Sequence, residues 1–297
     1  MLRPLHLRRS WLFVGAANEE DIQASFASNA DVCILDFEDF CPPNKRSKAR
    51  KMLPEILKKW SQLGKVTAVR INPLETEDGK KDLEATIFKN INTILLSKVE
   101  NKQQVDLFIK EKIKYEKKIK KKYNSIEFIP NIESALGVEN LKDILSSNSC
   151  VGALIASEDM AFSLGLNDNR ENKMLDFVRK KLHLACRAYG KLTIDMPYTW
   201  DNLSELINEL NHIKKLGIIA KSTIKASHCK VINKHLTPTK EEVIRCKKIV
   251  NKFNKALENN KNQIFYNNHY LELPAFYSAK RIIKRHKELG EYEKIKL

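Results

Sequence analysis

Three carboxylates fall within four residues at Asp36-Phe37-Glu38-Asp39, directly after an apolar run that ends at Leu35. Polar residues follow short apolar runs again further along. Arg70 and Asn72 stand in Arg70-Ile71-Asn72-Pro73, and Lys98 in Ser97-Lys98-Val99-Glu100. Glu133 follows Asn131-Ile132, Asp159 closes Ser157-Glu158-Asp159, and Asp195 and Lys221 end two later runs. Carboxylates alone would repel one another, so an acid-rich set beside Arg70 and Lys98 is either a salt-bridge network or a divalent-cation site. Glu133 and Asp159 are about one strand-helix-strand unit apart, which places them on neighbouring strands facing one centre. Hard oxygen donors of this kind suit Mg2+, which takes one or two protein carboxylates and fills its remaining positions with water and substrate. Taken singly, each carboxylate reads as a solvated loop charge; their recurrence at successive strand ends points to a site.

The elements that must position these residues alternate along the chain. Short apolar runs at 11–14, 32–37, 67–71, 93–96, 126–132, 152–156, 192–195 and 218–222 read as eight strands. Between them lie amphipathic helices at 18–28, with Asn18 as cap, and at 44–59, 83–90, 102–122, 175–188 and 203–216, with a further helix ending near 145. In the helix at 102–122, Val105, Leu107, Phe108, Ile113 and Ile119 are the expected core positions. Eight strands with helices between them predict an α/β fold of the (β/α)8 TIM-barrel type, whose active sites lie at the C-terminal ends of the strands. All of these polar residues, Asp195 and Lys221 included, are therefore expected on one rim. The absence of G-x-G-x-x-G after the first strand argues against a dinucleotide fold. The barrel is expected over residues 1–227, with a C-terminal helical extension over 228–297 that packs on a neighbouring subunit. The extension holds a capping box at Thr239 and Glu242, an irregular stretch at 259–268, and a basic helix after Pro274.

Composition bounds the function classes. The 297 residues are 30% charged and 42% hydrophobic, which suits a globular chain. No apolar run approaches the roughly 18 residues that cross a bilayer, so no membrane partner is expected. The net charge of +16 favours anionic partners, or else reflects a lysine-rich solvated surface. None of the six cysteines shows C-x-x-C spacing, and scattered cysteines fit a reducing compartment. Arg8-Arg9 and the apolar residues after it resemble a short signal peptide, but Asn18-Glu19-Glu20-Asp21 follows at once, so a buried first strand and a cytoplasmic location are expected.

The chain resembles the HpcH/HpaI aldolase/citrate lyase family, and within it the citrate lyase β-subunit-like CoA-ester lyases. The resemblance is carried, in order, by Arg8 to Val14, Ile34-Leu35-Asp36-Phe37-Glu38-Asp39, Val69-Arg70-Ile71-Asn72-Pro73-Leu74, Lys98-Val99-Glu100, Ile132 to Val138, and Glu158-Asp159-Met160 through Leu164-Gly165. It implies a Mg2+-dependent barrel that makes or breaks a carbon–carbon bond beside an acyl thioester. Malyl-, citramalyl- and citryl-thioesters are the implied substrates, and acetyl-CoA and an α-oxo acid the products. It implies Glu133 and Asp159 as metal ligands and Arg70 as a contact to the substrate carbonyl. Asp36, Glu38 and Asp39 would support Arg70 and the metal-bound waters. Asn72 and Lys98 join the substrate-binding set, and Lys221 and Lys225 are expected to meet CoA phosphates. An acidic residue in the C-terminal segment would move the proton at the thioester methyl carbon from a neighbouring subunit of a homotrimer; here Glu272 stands where the family has Asp. The chain also departs from the family at Val14-Gly15, Leu96-Ser97-Lys98 and Ile224-Lys225-Ala226, where the family has Pro-Gly, Leu-Pro-Lys and Ile-His-Pro.

Two further readings stay open at this point. One is a citrate lyase β subunit working on a citryl acyl carrier protein, an acidic partner that suits a basic surface. The other, of a different class, is a non-catalytic polyanion-binding barrel using the basic runs at 110–122 and 280–287. Nucleic acid is not the expected partner, because no aromatic-basic interleaving of the RNA-binding type accompanies those runs.

Overall fold

The computed structural model describes residues 2–87, 90–167 and 172–295. Eight parallel strands close into a barrel: β1 (Ser10–Gly15), β2 (Val32–Asp36), β3 (Val66–Ile71), β4 (Thr93–Leu96), β5 (Glu127–Ile132), β6 (Gly152–Ile155), β7 (Leu192–Tyr198) and β8 (Ala220–Thr223). The seam joins β1 to β8 in parallel, with Ser10, Trp11 and Leu12 opposite Lys221, Ser222 and Thr223. The predicted TIM barrel is therefore the observed fold. Parallel neighbours need long crossovers, and here helices supply them: α1 (Glu19–Ala27), α2 (Pro43–Gln62), α3 (Glu77–Thr86), α4 (Lys102–Lys118), α5 (Ala135–Glu139), α6 (Leu141–Leu145), α7 (Ser157–Ser163), α8 (Lys173–Ala188), α9 (Leu203–Leu216) and α10 (His228–Leu236).

Alternation along each strand separates two cores. One buried cluster draws on all eight strands through Trp11, Phe13, Ile34, Ala68, Leu95, Ile129, Leu154, Ile194 and Ala220, so it fills the barrel interior. The intervening residues, among them Leu12, Val14, Cys33, Leu35, Val69 and Ile94, pack outward against the helices. This two-sided burial is why the strands read as continuous apolar runs. Asn18 caps α1 as expected, its side chain accepting from the backbone of Glu20 at 3.0 Å and Asp21 at 3.2 Å. Among the described residues, no helix is long and apolar enough to cross a membrane.

Four expectations need correction. The helix read at 83–90 begins earlier, at Glu77 behind a Thr76 cap, and ends at Thr86; residues 88 and 89 lie outside the described residues. The helix read at 102–122 stops at Lys118, and Leu107 and Ile119 are exposed. Val105 and Phe108 are buried as expected, and Lys112 and Glu116 complete the inner face, spaced three and four apart, as one face of a helix requires. The Lys112 ammonium donates to Asn124 Oδ1 at 2.7 Å and to the Ile126 carbonyl at 2.9 Å. The Glu116 carboxylate accepts from the backbone of Asn124 at 2.8 Å and Ile126 at 2.7 Å. The buried pair thus satisfies the turn into β5, which an apolar residue at either position would leave unpaired.

The stretch read as irregular at 259–268 is a hairpin, β9 (Gln263–Tyr266) and β10 (His269–Glu272), turned by Asn267 and Asn268 at φ of 49° and 65°. Two residues at positive φ make the turn that matches strand twist, and asparagine tolerates it. The hairpin, α11 (Lys240–Glu258) and α12 (Leu273–Ile295) share a separate small core around Phe253, Ile264 and Phe276. The capping box at Thr239 and Glu242 is present. The basic helix begins one residue before Pro274, so the proline sits in the first turn, where its missing N–H costs nothing. Finally, Asp159 lies in the first turn of α7 and not at a strand end.

Candidate active site

Strand register sets Asp36 beside Arg70: they are paired residues of β2 and β3. Each continues the inward-facing series of its strand, Val32 and Ile34 before Asp36, Val66 and Ala68 before Arg70. Arg70 donates from Nε to Asp36 Oδ1 at 2.6 Å and from Nη2 to Oδ2 at 2.5 Å. Its Nη1 lies 2.9 Å from Glu38 Oε2, and its Nη2 3.0 Å from Asp39 Oδ2. The guanidinium also lies over the Phe13 ring, 5.0 Å from its centroid. Asp36 accepts from the backbone of Glu38 and Phe40, both at 3.1 Å, so the acidic loop folds around its own first carboxylate.

Lys98 follows β4 with φ at 54°, in the left-handed region where a residue with a Cβ is strained. That backbone turn delivers its ammonium to Glu38 Oε1 at 3.1 Å and Asp159 Oδ1 at 3.5 Å. Glu133 lies past the end of β5, 4% exposed, and among the described residues neither of its carboxylate oxygens has a hydrogen-bond partner. Just below it in β5, Asn131 is fully buried, and both ends of its amide also lack a partner. Asn131 is a residue that sequence reasoning passed over. Its signal was available: it shares strand parity with inward-facing Ile129.

The site carries five carboxylates, Asp36, Glu38, Asp39, Glu133 and Asp159, against the cations Arg70 and Lys98. The excess of negative charge shows in the protonation behaviour. Burial pushes the Glu133 carboxyl up to about 8, with the nearby Glu38 and Asp159 charges adding to it and Arg70 opposing. Burial likewise raises Glu38 to about 7, against the pull of Arg70. Asp39 is also pushed up by burial, but Arg70, Glu38 and Lys98 together hold it below the usual carboxylate range. Lys98 is raised by Glu38, Asp159 and Glu133, which outweigh its partial burial. A buried carboxylate with two unspent oxygens beside a second, part-exposed one is a donor set that fits Mg2+, and a divalent cation there would offset the excess negative charge. Among the described residues no three metal-ligating side chains converge, so the fit is to a cation that keeps most of its coordination for water and substrate.

Other expected site residues lie elsewhere. Asn72 donates its amide to the Phe37 carbonyl at 2.9 Å and to Asp82 at 2.7 Å, so it braces the acidic loop from behind. Asp195 and Lys221 are not on the rim. Their strand neighbours Ile194 and Ala220 face the barrel interior, so they face outward into the helix layer. There Lys221 donates to Asp195 at 2.8 Å, to the Met196 carbonyl at 2.6 Å and to Glu209 at 2.9 Å. Arg179 closes the network, donating to Asp195 at 2.6 Å. With its ammonium fully buried and its three protons spent, Lys221 has no face for a CoA phosphate. Lys225 follows β8, part-exposed, and pairs with Asp201. Glu272 ends the β9–β10 hairpin, exposed, with no hydrogen bond or ion pair to its carboxylate among the described residues. One chain alone does not bring it to Arg70.

The pattern of the HpcH/HpaI aldolase/citrate lyase family matches residues 9–226. The chain is 28% identical to citrate lyase subunit beta of Escherichia coli over 285 residues, covering 95% of this chain and 94% of that one. It is 23% identical to the mitochondrial citramalyl-CoA lyase of Rattus norvegicus over 288 residues, 93% of this chain and 85% of that one. Among solved structures, the citrate lyase beta subunit of Mycobacterium tuberculosis complexed with oxaloacetate and magnesium is 27% identical, with a TM-score of 0.66 over 78% of this chain and all of that one. A structure of Mycobacterium tuberculosis CitE with magnesium, acetoacetate and coenzyme A shares the fold at a TM-score of 0.76 over 94% of this chain and 98% of that one, at 24% identity. The match spans the whole barrel, from the strand that opens it to the loop beyond the strand that closes it, and the chain belongs to the HpcH/HpaI aldolase/citrate lyase family of carbon–carbon lyases.

Proposed function

We propose that the chain cleaves, or in reverse forms, the carbon–carbon bond of a 3-hydroxyacyl thioester such as malyl-, citramalyl- or citryl-CoA, giving acetyl-CoA and an α-oxo acid. The observation that carries this reading is Glu133, buried beside Arg70 with both carboxylate oxygens unspent. Glu133 and Asp159 would hold Mg2+, which when bound polarises the oxygen of the α-hydroxy or α-oxo acid as a Lewis acid. The relatives support the substrate class: one acts on citramalyl-CoA, and another is complexed with oxaloacetate and magnesium.

In the cleavage direction, the bond between the hydroxyl-bearing carbon and the thioester α-carbon breaks. The hydroxyl gives its proton to the carboxylate of a neighbouring copy's Glu272 as its carbon becomes a carbonyl, and the electron pair of the broken bond moves onto the thioester as an enolate. Arg70 sits where a fixed positive charge stabilises that developing anion. Its three carboxylate partners hold it in place, so little reorganisation is needed during the reaction. The enolate carbon then takes a proton to become the methyl group of acetyl-CoA. Glu272, donated by a neighbouring copy, is the proton carrier; its extra methylene relative to aspartate shifts the carboxylate by about one carbon–carbon bond, and placement on that scale affects rate. Lys225 is the remaining candidate for a CoA phosphate.

The test is turnover of malyl-, citramalyl- and citryl-CoA with and without Mg2+, read as free acetyl-CoA and oxo acid. Mg2+-dependent release of both products from one of them sustains the proposal. Turnover of a citryl acyl carrier protein but no CoA ester replaces the free thioester with a carrier. No Mg2+ dependence with any substrate removes Glu133 and Asp159 as ligands.

A further inference from the structure

A cavity lies at the opposite end of the barrel from Arg70 and Glu133. It measures about 1190 Å3 and opens between α12 and the strand entrances at Leu192 and Ile218. Seven lysines and arginines line it against only Glu242 and Glu288. Those two carboxylates are already engaged: Glu242 with Lys214 at 2.9 Å, Glu288 with His6 at 2.8 Å. Among the described residues, Arg187, Lys215 and Arg281 have no carboxylate partner.

Arg285 is the most telling member. It donates from Nε to the His6 carbonyl at 2.9 Å and from Nη1 to the Leu236 carbonyl at 2.7 Å. Among the described residues its buried Nη2 has no hydrogen-bond partner. No carboxylate offsets its charge, and burial together with Arg9 lowers its pKa to about 10. A part-buried guanidinium with neutral partners and one buried, unspent N–H is costly unless an anion completes it. The guanidinium fork matches phosphate oxygens. The cavity is large for a single small anion. No Phe, Tyr or Trp is among its described lining residues, and the excess of cations directs recognition to phosphates.

We infer that this cavity is a second, non-catalytic binding site for a small molecule carrying several linked phosphates. The inference stands apart from the lyase reading, because it uses no residue of the rim. Such a ligand would bridge the barrel to α12, whose first residue directly follows Glu272.

The full-length protein is titrated with ATP and with inorganic triphosphate, in EDTA so that the acidic rim has no cation to attract phosphates. Binding is read by calorimetry and by the melting midpoint at 50 and 200 mM salt. We expect binding that weakens at least tenfold between those salt concentrations. Equal binding of the two ligands assigns the site to the phosphate chain itself; binding of ATP alone assigns it to a nucleotide. The double variant Lys215→Glu with Arg281→Glu changes exposed side chains, so it should melt like wild type without ligand and lose at least tenfold in affinity. Glu133→Gln should bind as wild type does. No binding of either ligand at millimolar concentration overturns the inference, as does binding that survives the double variant or disappears in Glu133→Gln.

Discussion

Arg70 and Asp36 meet side-on across adjacent strands, with two hydrogen bonds of 2.6 and 2.5 Å inside the barrel mouth. Both are almost fully buried, so neither charge is tolerable without the other. Asp36→Ala removes the fork that fixes the arginine and leaves it only Glu38 and Asp39, so it is free to swing, and the backbone N–H groups of Glu38 and Phe40 lose their acceptor. We expect a loss of about 3–5 kcal/mol in urea unfolding and a fall in kcat of roughly a hundredfold or more. Arg70→Lys keeps the charge but not the fork, so it should fold while losing a comparable share of kcat. Full activity in Arg70→Lys would show that the paired geometry is irrelevant to the chemistry.

Glu133→Gln tests the metal reading without using activity. The amide keeps the shape of the side chain and removes both its ability to ionise and one acceptor oxygen. Wild type should gain several degrees in Tm on saturation with Mg2+, as expected for a ligand that binds only the folded state. The variant should show less than a third of that gain, and isothermal titration should report a rise in Kd of at least about tenfold. Equal Mg2+ stabilisation of the two proteins would place the cation elsewhere.

Exposure of Glu272 at the end of the β9–β10 hairpin leads to a mixing experiment. Glu272→Gln and Arg70→Ala are each expected to be nearly inactive. If the hairpin of one copy completes the barrel of another, refolding the two variants together at equal amounts creates some sites with both residues intact. Random assembly of a closed ring predicts about a quarter of wild-type activity. A mixture no more active than its components would locate the proton carrier within a single chain, or in a different residue.

His228, at the start of α10, accepts or donates at 3.1 Å to Thr223 and packs edge-on against Tyr198. Burial, aided by the charge of Lys225, lowers its pKa below the ordinary histidine value. The unfolded chain therefore takes up the proton first as pH falls. The stability His228 confers is fully present above about pH 6.5 and is lost as pH drops toward its lowered folded value. In His228→Gln this contribution to the pH dependence disappears. The stability difference between wild type and variant should shrink on going from pH 8 to pH 5, by no more than about 1.4 kcal/mol per pH unit. Because it is a difference, the other titrating groups cancel. An unchanged or widening gap would mean that the imidazole is charged in the fold.

How far the sequence disclosed this molecule follows from strand parity. Asp36, Arg70 and Glu133 could be found because each stands at the end of an apolar run, and a barrel gathers such ends on one rim. The same rule misplaced Asp195 and Lys221. Ile194 and Ala220 face inward, so their next neighbours must face outward; attending to the run ends alone hides this. Lys112 and Glu116 were missed for another reason. An apolar pattern cannot announce a buried ion pair whose justification is the unpaired backbone of a turn at Asn124 and Ile126. The hairpin at 263–272 had a readable signal in Asn267-Asn268, but strands of four residues carry too little alternation to stand out.

The seam of the barrel also bears on how the chain is made. On one side β1 pairs with β2, but on the other Ser10 to Leu12 meet their partners only at Lys221 to Thr223, about two hundred residues later. Throughout most of translation β1 is therefore an open strand edge, emerged and hydrophobic, with no native neighbour on one side. Each new β/α unit moves the other open edge along by one strand without removing it. Both edges vanish together, when β8 leaves the ribosome and the circle closes. A transcript or ribosome that stops before Lys221 yields an open, aggregation-prone sheet, so this enzyme is produced whole or scarcely at all.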